Sequence, residues 1–165
     1  MGKKPITYLK RKMLHPVINI DKFESLFLDK AYDIKTKSPK IIIKGLTKLD
    51  GMIDLHGQYV PGKSTVVVYS DNVRLLKMLA AFINSSFAIS YLLKRFPSAT
   101  YNGGLTFNGD IIGTIPIPLL TTEQEDYIVS LVDDILVLGK GFNDERLNKL
   151  DEYISSIYGW NSQMS

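Results

Sequence analysis

The residues that could carry acid–base chemistry near neutral pH are few in this 165-residue chain. It contains two histidines, His15 and His56, and no cysteine, so a thiolate metal site, a cysteine nucleophile and a disulfide framework are excluded. No group of histidines and carboxylates has the spacing of a metal site. We interpret His15, which precedes Pro16, as a turn residue, and His56 as a loop residue that contacts phosphate or nothing.

A metal-dependent nuclease needs carboxylates and a lysine gathered around a metal ion. The nearest candidate is Asp21 with Asp33 and Lys35, at a loose spacing that arises often in a chain with this many Asp and Lys residues. The glycines form neither GxGxxG nor GxxxxGK, so a phosphate-cradling loop is not indicated. The Asn-Pro-Pro-aromatic tetrad of methyltransferases is also absent. The sequence therefore favours a binding module that is not an enzyme and holds no metal or cofactor itself, with a degenerate nuclease as an alternative.

Three lysines, Lys40, Lys44 and Lys48, recur at a spacing of four in PKIIIKGLTK. The run of three isoleucines predicts a strand from Lys40 to Gly45. A regular strand that continued to Lys48 would place all three lysines on one side, although Gly45 is expected to bend or end it first. A basic ridge of this kind would bind DNA phosphates with sequence-independent, salt-sensitive affinity. The alternative is that the lysines protect a sheet edge from aggregation.

Sequence specificity needs side chains with donors and acceptors that reach base edges. Two polar loops supply such side chains, one on each side of the best predicted strand and helix pair. The candidates are His56, Gln58, Tyr59 and Lys63 in the first loop, and Ser98, Thr100, Tyr101, Asn102 and Asn108 in the second. The alternative is an ordinary polar loop, because Asn, Gly and Ser are also turn formers.

Charge is distributed unevenly along the chain, although the net charge is only +3. Residues 1–48 contain twelve Lys or Arg against four Asp or Glu, and residues 121–165 contain nine Asp or Glu against three Lys or Arg. A basic half suits a polyanion such as double-stranded DNA, and an acidic end suits a protein neighbour or solubility. A basic solvated surface without any partner, or a scaffold domain that contacts an acidic protein, would show the same distribution.

The remaining pattern predicts the elements that must position these residues. Ser64 to Ser70 is the clearest strand, and a helix follows from Asp71 or Asn72 until Asn84-Ser85-Ser86 interrupts it. A second helix is expected from Phe87 to Phe96, where Pro97 stops it, followed by a loop region from Ser98 to Gly113 with at most short strands. Along these helices Phe82, Phe87, Tyr91 and Leu92 are predicted to be core residues.

Two helices are predicted at the C-terminal end, after the extended segment Ile115 to Pro118. Thr122 with Glu125 has the pattern of a capping box, and that helix should end near Gly139 or Gly141. The last helix should run from about Asp144 and stop at Gly159. We expect an α+β fold with a small mixed β recognition part packed on helices. Residues 1–120 would form the recognition domain, with its strands and a helix pair, and residues 121–165 a C-terminal helix pair that packs on it or on a partner domain.

The longest uncharged apolar stretch, Met78 to Leu93, is interrupted by Asn84, Ser85, Ser86 and Ser90, so no membrane span is expected. The N-terminal segment KKPITYLKRK lacks the apolar region of a signal peptide. We therefore expect a cytoplasmic location.

The order of these features closely resembles the target recognition domain of TaqI-like type IIG restriction-modification enzymes, to which domains of type I specificity subunits are related. That family has an "LNS" element between two helices, a "P-hydrophobic-P" segment, a helix that opens with "E-Q-hydrophobic", and a "hydrophobic-Y-G-L" end. The matching residues are Ile83-Asn84-Ser85, Ile115-Pro116-Ile117-Pro118, Glu123-Gln124-Glu125 and Tyr158-Gly159-Trp160.

The resemblance covers roughly Lys40 to Trp160 and implies a module that recognises a specific duplex sequence. The DNA adenine methyltransferase, and often a nuclease, would be carried elsewhere on a longer chain or on partner subunits, and would use S-adenosylmethionine and Mg²⁺. Recognition residues in this family vary with the target sequence, so none is transferred by motif. The loop residues named above are predicted from chemistry and position alone.

Overall fold

The computed structural model describes residues 35–44, 49–62, 64–97, 106–137 and 144–160. They form an antiparallel sheet and several helices, which confirms the predicted α+β class. The strands are β1 (Lys40–Lys44), β2 (Asp50–Asp54) and β3 (Thr65–Tyr69), in the order β2-β1-β3. The helices are α1 (Val73–Ile83), α2 (Ser86–Arg95), α3 (Gly109–Ile112), α4 (Thr122–Val137) and α5 (Asp144–Ile157).

The sheet is built around β1, which pairs antiparallel with both other strands. Its side chains alternate as a strand requires, so Ile41 and Ile43 are fully buried while Ile42 is half-buried. Strands β1 and β3 lie where the sequence predicts them, but β2 is not among the predicted strands. Its sequence, DGMID, is rich in residues of low strand propensity. The strand is held by its antiparallel pairing with β1.

The break between α1 and α2 lies where the sequence predicts it. Asn84 ends α1, and the side chain of Ser85 caps α2 by accepting a hydrogen bond from the N–H of Ala88 at 3.1 Å. The two helices meet at a bend of 63°. Within the described ranges no single helix is long and apolar enough to cross a membrane, and α1 with α2 satisfies that test only as a bent pair. We call residues 84–86 the elbow.

Asn84 joins the elbow to the sheet. Its side-chain oxygen accepts the N–H of Gly51 at 2.8 Å, and its side-chain nitrogen donates to the carbonyl of Gly51 at 2.9 Å and to that of Ala80 at 2.8 Å. A side-chain amide thus pairs with both polar main-chain groups of a residue in edge strand β2, as another strand would. A Cβ atom on Gly51 would lie 3.3 Å from both Asn84 Nδ2 and Ile41 Cγ2, so glycine permits this close approach.

Ser86 joins the elbow to α5. Its N–H donates to a carboxylate oxygen of Asp151 at 2.7 Å, and its hydroxyl donates to the other oxygen of the same group. A carboxylate at this position also complements the positive end of the α2 dipole. The elbow therefore connects β2, α1, α2 and α5.

The extended Ile115-to-Pro118 segment is held by Tyr158, which follows α5 and donates its hydroxyl hydrogen to the carbonyl of Pro116. Burial raises the pKa of Tyr158 to about 12. The Tyr158 ring stacks on Phe87 with 3.6 Å between centroids. Gly159, at a φ of 61°, ends α5 as predicted: its N–H and that of Trp160 bond the carbonyls of Ser156 and Ser155, which is a Schellman motif.

The capping box of α4 lies one residue before the predicted position. Thr121 accepts the N–H of Gln124 at 3.3 Å, and the Gln124 side chain accepts the N–H of Thr121 at 2.9 Å. Glu125 is free of this role and instead accepts hydrogen bonds from Arg74 of α1 at 3.0 and 3.2 Å. Arg74 also bonds Asp126, and Lys77 bonds Asp133, so carboxylates of α4 pair with cations of α1.

The hydrophobic core joins one face of the sheet to α1, and α1 to α2, α4 and α5. Phe82 and Leu92 are fully buried, as predicted. Phe87 and Tyr91 are half-buried and lie at the edge of the core: Tyr91 packs against it, and Phe87 stacks on Tyr158. The predicted periodicity of α2 is correct, but the described residues cover these two rings only in part.

Replacing Asn84 by Ala should lower the free energy of unfolding by about 2–4 kcal/mol, because it leaves buried main-chain groups of Gly51 without partners. Urea denaturation measures the change. Asn72→Ala is the matched control, since it removes one exposed helix cap and should cost about 1 kcal/mol. Equal losses in the two variants would show that the contact between Asn84 and Gly51 does not hold the sheet edge.

Candidate nucleic-acid interface

The first of the two predicted polar loops is described except for Lys63 and follows β2 directly. We call residues 55–62 the reading loop. The carboxylate of Asp54, the last residue of β2, accepts the main-chain N–H groups of His56 at 3.3 Å, Gln58 at 2.9 Å and Tyr59 at 2.9 Å. His56 and Gln58 expose their side chains, and Tyr59 is half-buried. One side chain therefore fixes the main chain of a loop that presents a ring, an amide and a phenol.

Lys40 fixes Asp54 in turn. Its Nζ lies 2.7 Å from Asp54 Oδ2 and donates to the carbonyls of Thr36 at 2.5 Å and Ser38 at 3.3 Å. Lys40 is 0% exposed and Asp54 3% exposed. Because the two residues face each other across β1 and β2, the ion pair also ties the reading loop to the centre of the sheet.

The electrostatics of Asp54 follow from these contacts. Burial acts to raise the pKa of its carboxyl, but the hydrogen bonds from Lys40, Gln58 and Tyr59 outweigh burial, so the pKa lies below its ordinary value of 3.8. The group is thus held as a carboxylate, which is the form that can accept all of these hydrogen bonds.

Gly57 fixes the loop from its other side. Its φ is +62°, in the left-handed region, and a Cβ atom there would lie 2.1 Å from the carbonyl oxygen of Lys37. Residues 35–37 are helical, so the loop passes against this turn more closely than any side chain would allow. The loop conformation is therefore determined by both Asp54 and Gly57.

The predicted basic ridge needs correction at Lys40. This side chain is buried and paired with Asp54, so its ammonium group is not accessible to a DNA phosphate. Lys44 lies on the same side of β1, as the alternation predicts, and is half-buried opposite Asp50 and Thr65. Lys48 and Lys63 lie outside the described residues.

The second predicted polar loop is mostly outside the part of the chain that the structure describes. This applies to Ser98, Thr100, Tyr101 and Asn102. Asn108 is described and exposed, and its side-chain oxygen accepts the N–H of Ile111 at 2.9 Å, so it caps α3. This helical turn replaces part of the predicted loop region, and it gives Asn108 a structural role beside any contact with DNA.

The alternative of a nuclease receives no support from the described residues. Asp21 and Asp33 lie outside them, as does His15, and Lys35 is exposed. In the described ranges, no group of three or more His, Cys, Asp or Glu side chains could hold a metal ion. The residue that the sequence analysis missed is Asp54. An Asp at a strand end followed three residues later by Gly is a turn signal, and it could have indicated this role.

No protein-family model matches the chain, and no curated protein matches it either. The resemblance to the target recognition domains therefore depends on the quoted motifs alone.

The Lys40–Asp54 pair gives a prediction on stability. Asp54→Leu leaves a buried ammonium group without a counter-charge and should lower the free energy of unfolding by about 3–5 kcal/mol. Lys40→Met with Asp54→Leu should lose less than Asp54→Leu alone, because no uncompensated charge remains.

Urea denaturation of the single and double variants tests this. The control is Arg74→Met, whose ion pairs lie at the surface and should contribute about 1 kcal/mol or less. The pair does not act as a buried unit if Asp54→Leu costs no more than this control. The same conclusion follows if the losses of Lys40→Met and Asp54→Leu simply add in the double variant.

Acid should release the reading loop. Because the folded pKa of Asp54 is lowered, its stabilising contribution is complete above pH 3.8 and is lost as the pH falls through the folded pKa. Amide hydrogen exchange measured by NMR at Gln58 and Tyr59 should therefore lose protection in this acid range before the strand amides of β1 do. Protection that falls equally at all of these amides would contradict a local role for the carboxylate.

Proposed function

We propose that this chain is a sequence-specific recognition module for double-stranded DNA and that it is not catalytic by itself. It would act beside a DNA adenine methyltransferase, and often a nuclease, carried elsewhere on a longer chain or on partner subunits. Those parts would supply S-adenosylmethionine and Mg²⁺. A DNA partner also requires access to DNA, so the compartment that we propose is the cytoplasm.

The observation that carries this proposal is the reading loop fixed by Asp54. Recognition of base edges needs donors and acceptors held in place before binding, since each side chain ordered only on binding reduces affinity. His56 and Gln58 are exposed on a main chain that three hydrogen bonds and Gly57 determine. Gln is a side chain that can bond adenine through two atoms in the major groove.

Lys44 suits a contact with a phosphate. It lies four residues along β1 from Lys40, which faces Asp54 at the start of the reading loop. Four strand residues span about 13 Å. The major groove is about 12 Å wide, so a loop in the groove would leave Lys44 near a sugar-phosphate backbone. Its contribution would be independent of sequence and sensitive to salt.

The positions of the motif residues also support the proposal. The Asn84-Ser85 pair, the Pro116-to-Pro118 segment and Tyr158-Gly159 all make contacts that hold elements together. In the family that the chain resembles, these motifs are the shared part, and recognition residues vary. A fixed scaffold that carries a variable loop is the arrangement expected of such a module.

The test is fluorescence anisotropy on a pool of labelled random-sequence duplexes at low and physiological salt. We expect binding that weakens steeply with salt. Lys44→Ala should weaken it for all sequences and reduce the slope of log affinity against log salt by about 0.9. Gln58→Ala should leave that slope unchanged and reduce discrimination at one base pair by about 1–3 kcal/mol.

Lys149→Ala is the control, because Lys149 is an exposed lysine on the acidic helix α5. It should leave binding unchanged. Absence of binding at low salt, or equal weakening by Lys149→Ala and Lys44→Ala, would contradict the proposed interface.

A further inference from the structure

A second surface lies on α2 and includes no residue of the reading loop. The exposed side of this helix and Trp160, the residue after Gly159, line an open groove of about 300 Å³. The helix contributes side chains at the spacing of one helical face, and Trp160 also lines the groove. The groove is lined by Phe87, Ser90, Tyr91, Lys94, Arg95 and Trp160.

The aromatic walls of the groove are held in place by ring contacts. Phe87 stacks on Tyr158, and its ring meets Trp160 edge-on with 6.2 Å between centroids and 79° between planes. Tyr91 lies 6.0 Å from Phe87 with nearly parallel rings. Phe87, Tyr91 and Trp160 are each half-buried, so all three leave part of their surface uncovered by the described residues. The groove is thus largely formed before any partner binds.

The rim of the groove carries two cations. Lys94 and Arg95 are exposed in the last turn of α2, and no carboxylate of the described residues forms a salt bridge with either of them. Arg95 lies 5.7 Å from the centroid of the Phe96 ring. By contrast, Arg74 and Lys77 of α1 are both paired with carboxylates of α4. Basic residues complement the end of a helix dipole, but that role requires no aromatic neighbours.

We propose that this groove docks a short acidic segment of a partner protein. Carboxylates of the segment would pair with Lys94 and Arg95, and one or two large apolar side chains would lie against Phe87, Tyr91 and Trp160. The volume, at the lower end of the range for ligand pockets, suits side chains of this size.

Duplex DNA fits the groove poorly. Its bases are stacked and paired, so a duplex would offer only phosphates to Lys94 and Arg95 and would leave the aromatic walls unused. The groove is built from α2 and the end of α5, which pack on α1 and on each other. The docking proposal is therefore independent of the DNA-recognition proposal.

The test uses a phage-displayed library of random twelve-residue peptides, selected on the whole chain and counter-selected on the Lys94→Glu variant. We expect enriched peptides that combine Asp or Glu with Phe, Leu or Trp.

Trp160 is the only tryptophan of the chain, so binding of a peptide with Phe or Leu should change its fluorescence saturably. Lys94→Glu should weaken that binding by about tenfold. Ser90→Gln, which fills the groove without changing its charge or removing an aromatic wall, should abolish that binding.

Lys35→Glu is the matched control, since it makes the same charge change at an exposed lysine that does not line the groove. It should retain peptide binding, and circular dichroism should show that all three variants are folded. Failure to enrich acidic-apolar peptides overturns the proposal. So does a saturable response to oligothymidine, which would assign the groove to unpaired bases, or a concentration-dependent response of the chain alone, which would assign it to a second copy.

Discussion

The burial of one lysine constrains everything around the reading loop. An ammonium group removed from water is tolerated only with a counter-charge and enough acceptors for its hydrogens. Lys40 meets this requirement with the carboxylate of Asp54 and the carbonyls of Thr36 and Ser38. Asp54 is thereby fixed, and its oxygens determine where the amides of Gln58 and Tyr59 must lie. An ion pair in the sheet thus sets the shape of the loop.

A second constraint acts at the elbow, where the main-chain groups of an edge strand need partners. Asn84 supplies both donor and acceptor to Gly51, and Ser86 connects the same point to Asp151 of α5. In the described residues no buried side-chain nitrogen or oxygen is left without a partner. The polar residues that interrupt α1 and α2 are therefore structural contacts, and they keep the sheet, and with it the reading loop, in a fixed position relative to the helices.

Local signals in the sequence predict most of the described elements. Three consecutive isoleucines predict β1, the helical spacing after Asn72 predicts α1, and Gly159 predicts the end of α5. These signals depend on a few neighbouring residues. Strand β2 could not be predicted in this way, because DGMID has low strand propensity and is held by β1 and Asn84. The predicted position of the α4 cap is wrong by one residue, because Thr121 with Gln124 and Thr122 with Glu125 both have the pattern of a capping box.

At the candidate site, too, local signals predict the loop but not the distant contacts that hold it. The sequence predicts that His56, Gln58 and Tyr59 belong to one polar loop, and the structure brings their main-chain N–H groups to one carboxylate. The regular spacing of Lys40 and Lys44 predicts a phosphate ligand at Lys40, but spacing does not reveal burial. Its partner lies fourteen residues away in an unpredicted strand, so only the folded sheet shows that Lys40 positions the loop.

The most direct test of this account is selection from a random duplex pool, followed by sequencing, with the wild-type chain and with the Lys40→Met/Asp54→Leu variant. The variant keeps a matched apolar pair in the sheet but removes the acceptor of the loop amides. We predict that the wild-type chain enriches one sequence motif, whereas the variant still binds the pool with the same salt dependence and enriches none. Enrichment of the same motif by both chains would show that the ion pair does not set the reading loop. No motif from a wild-type chain that binds the pool would contradict sequence recognition itself.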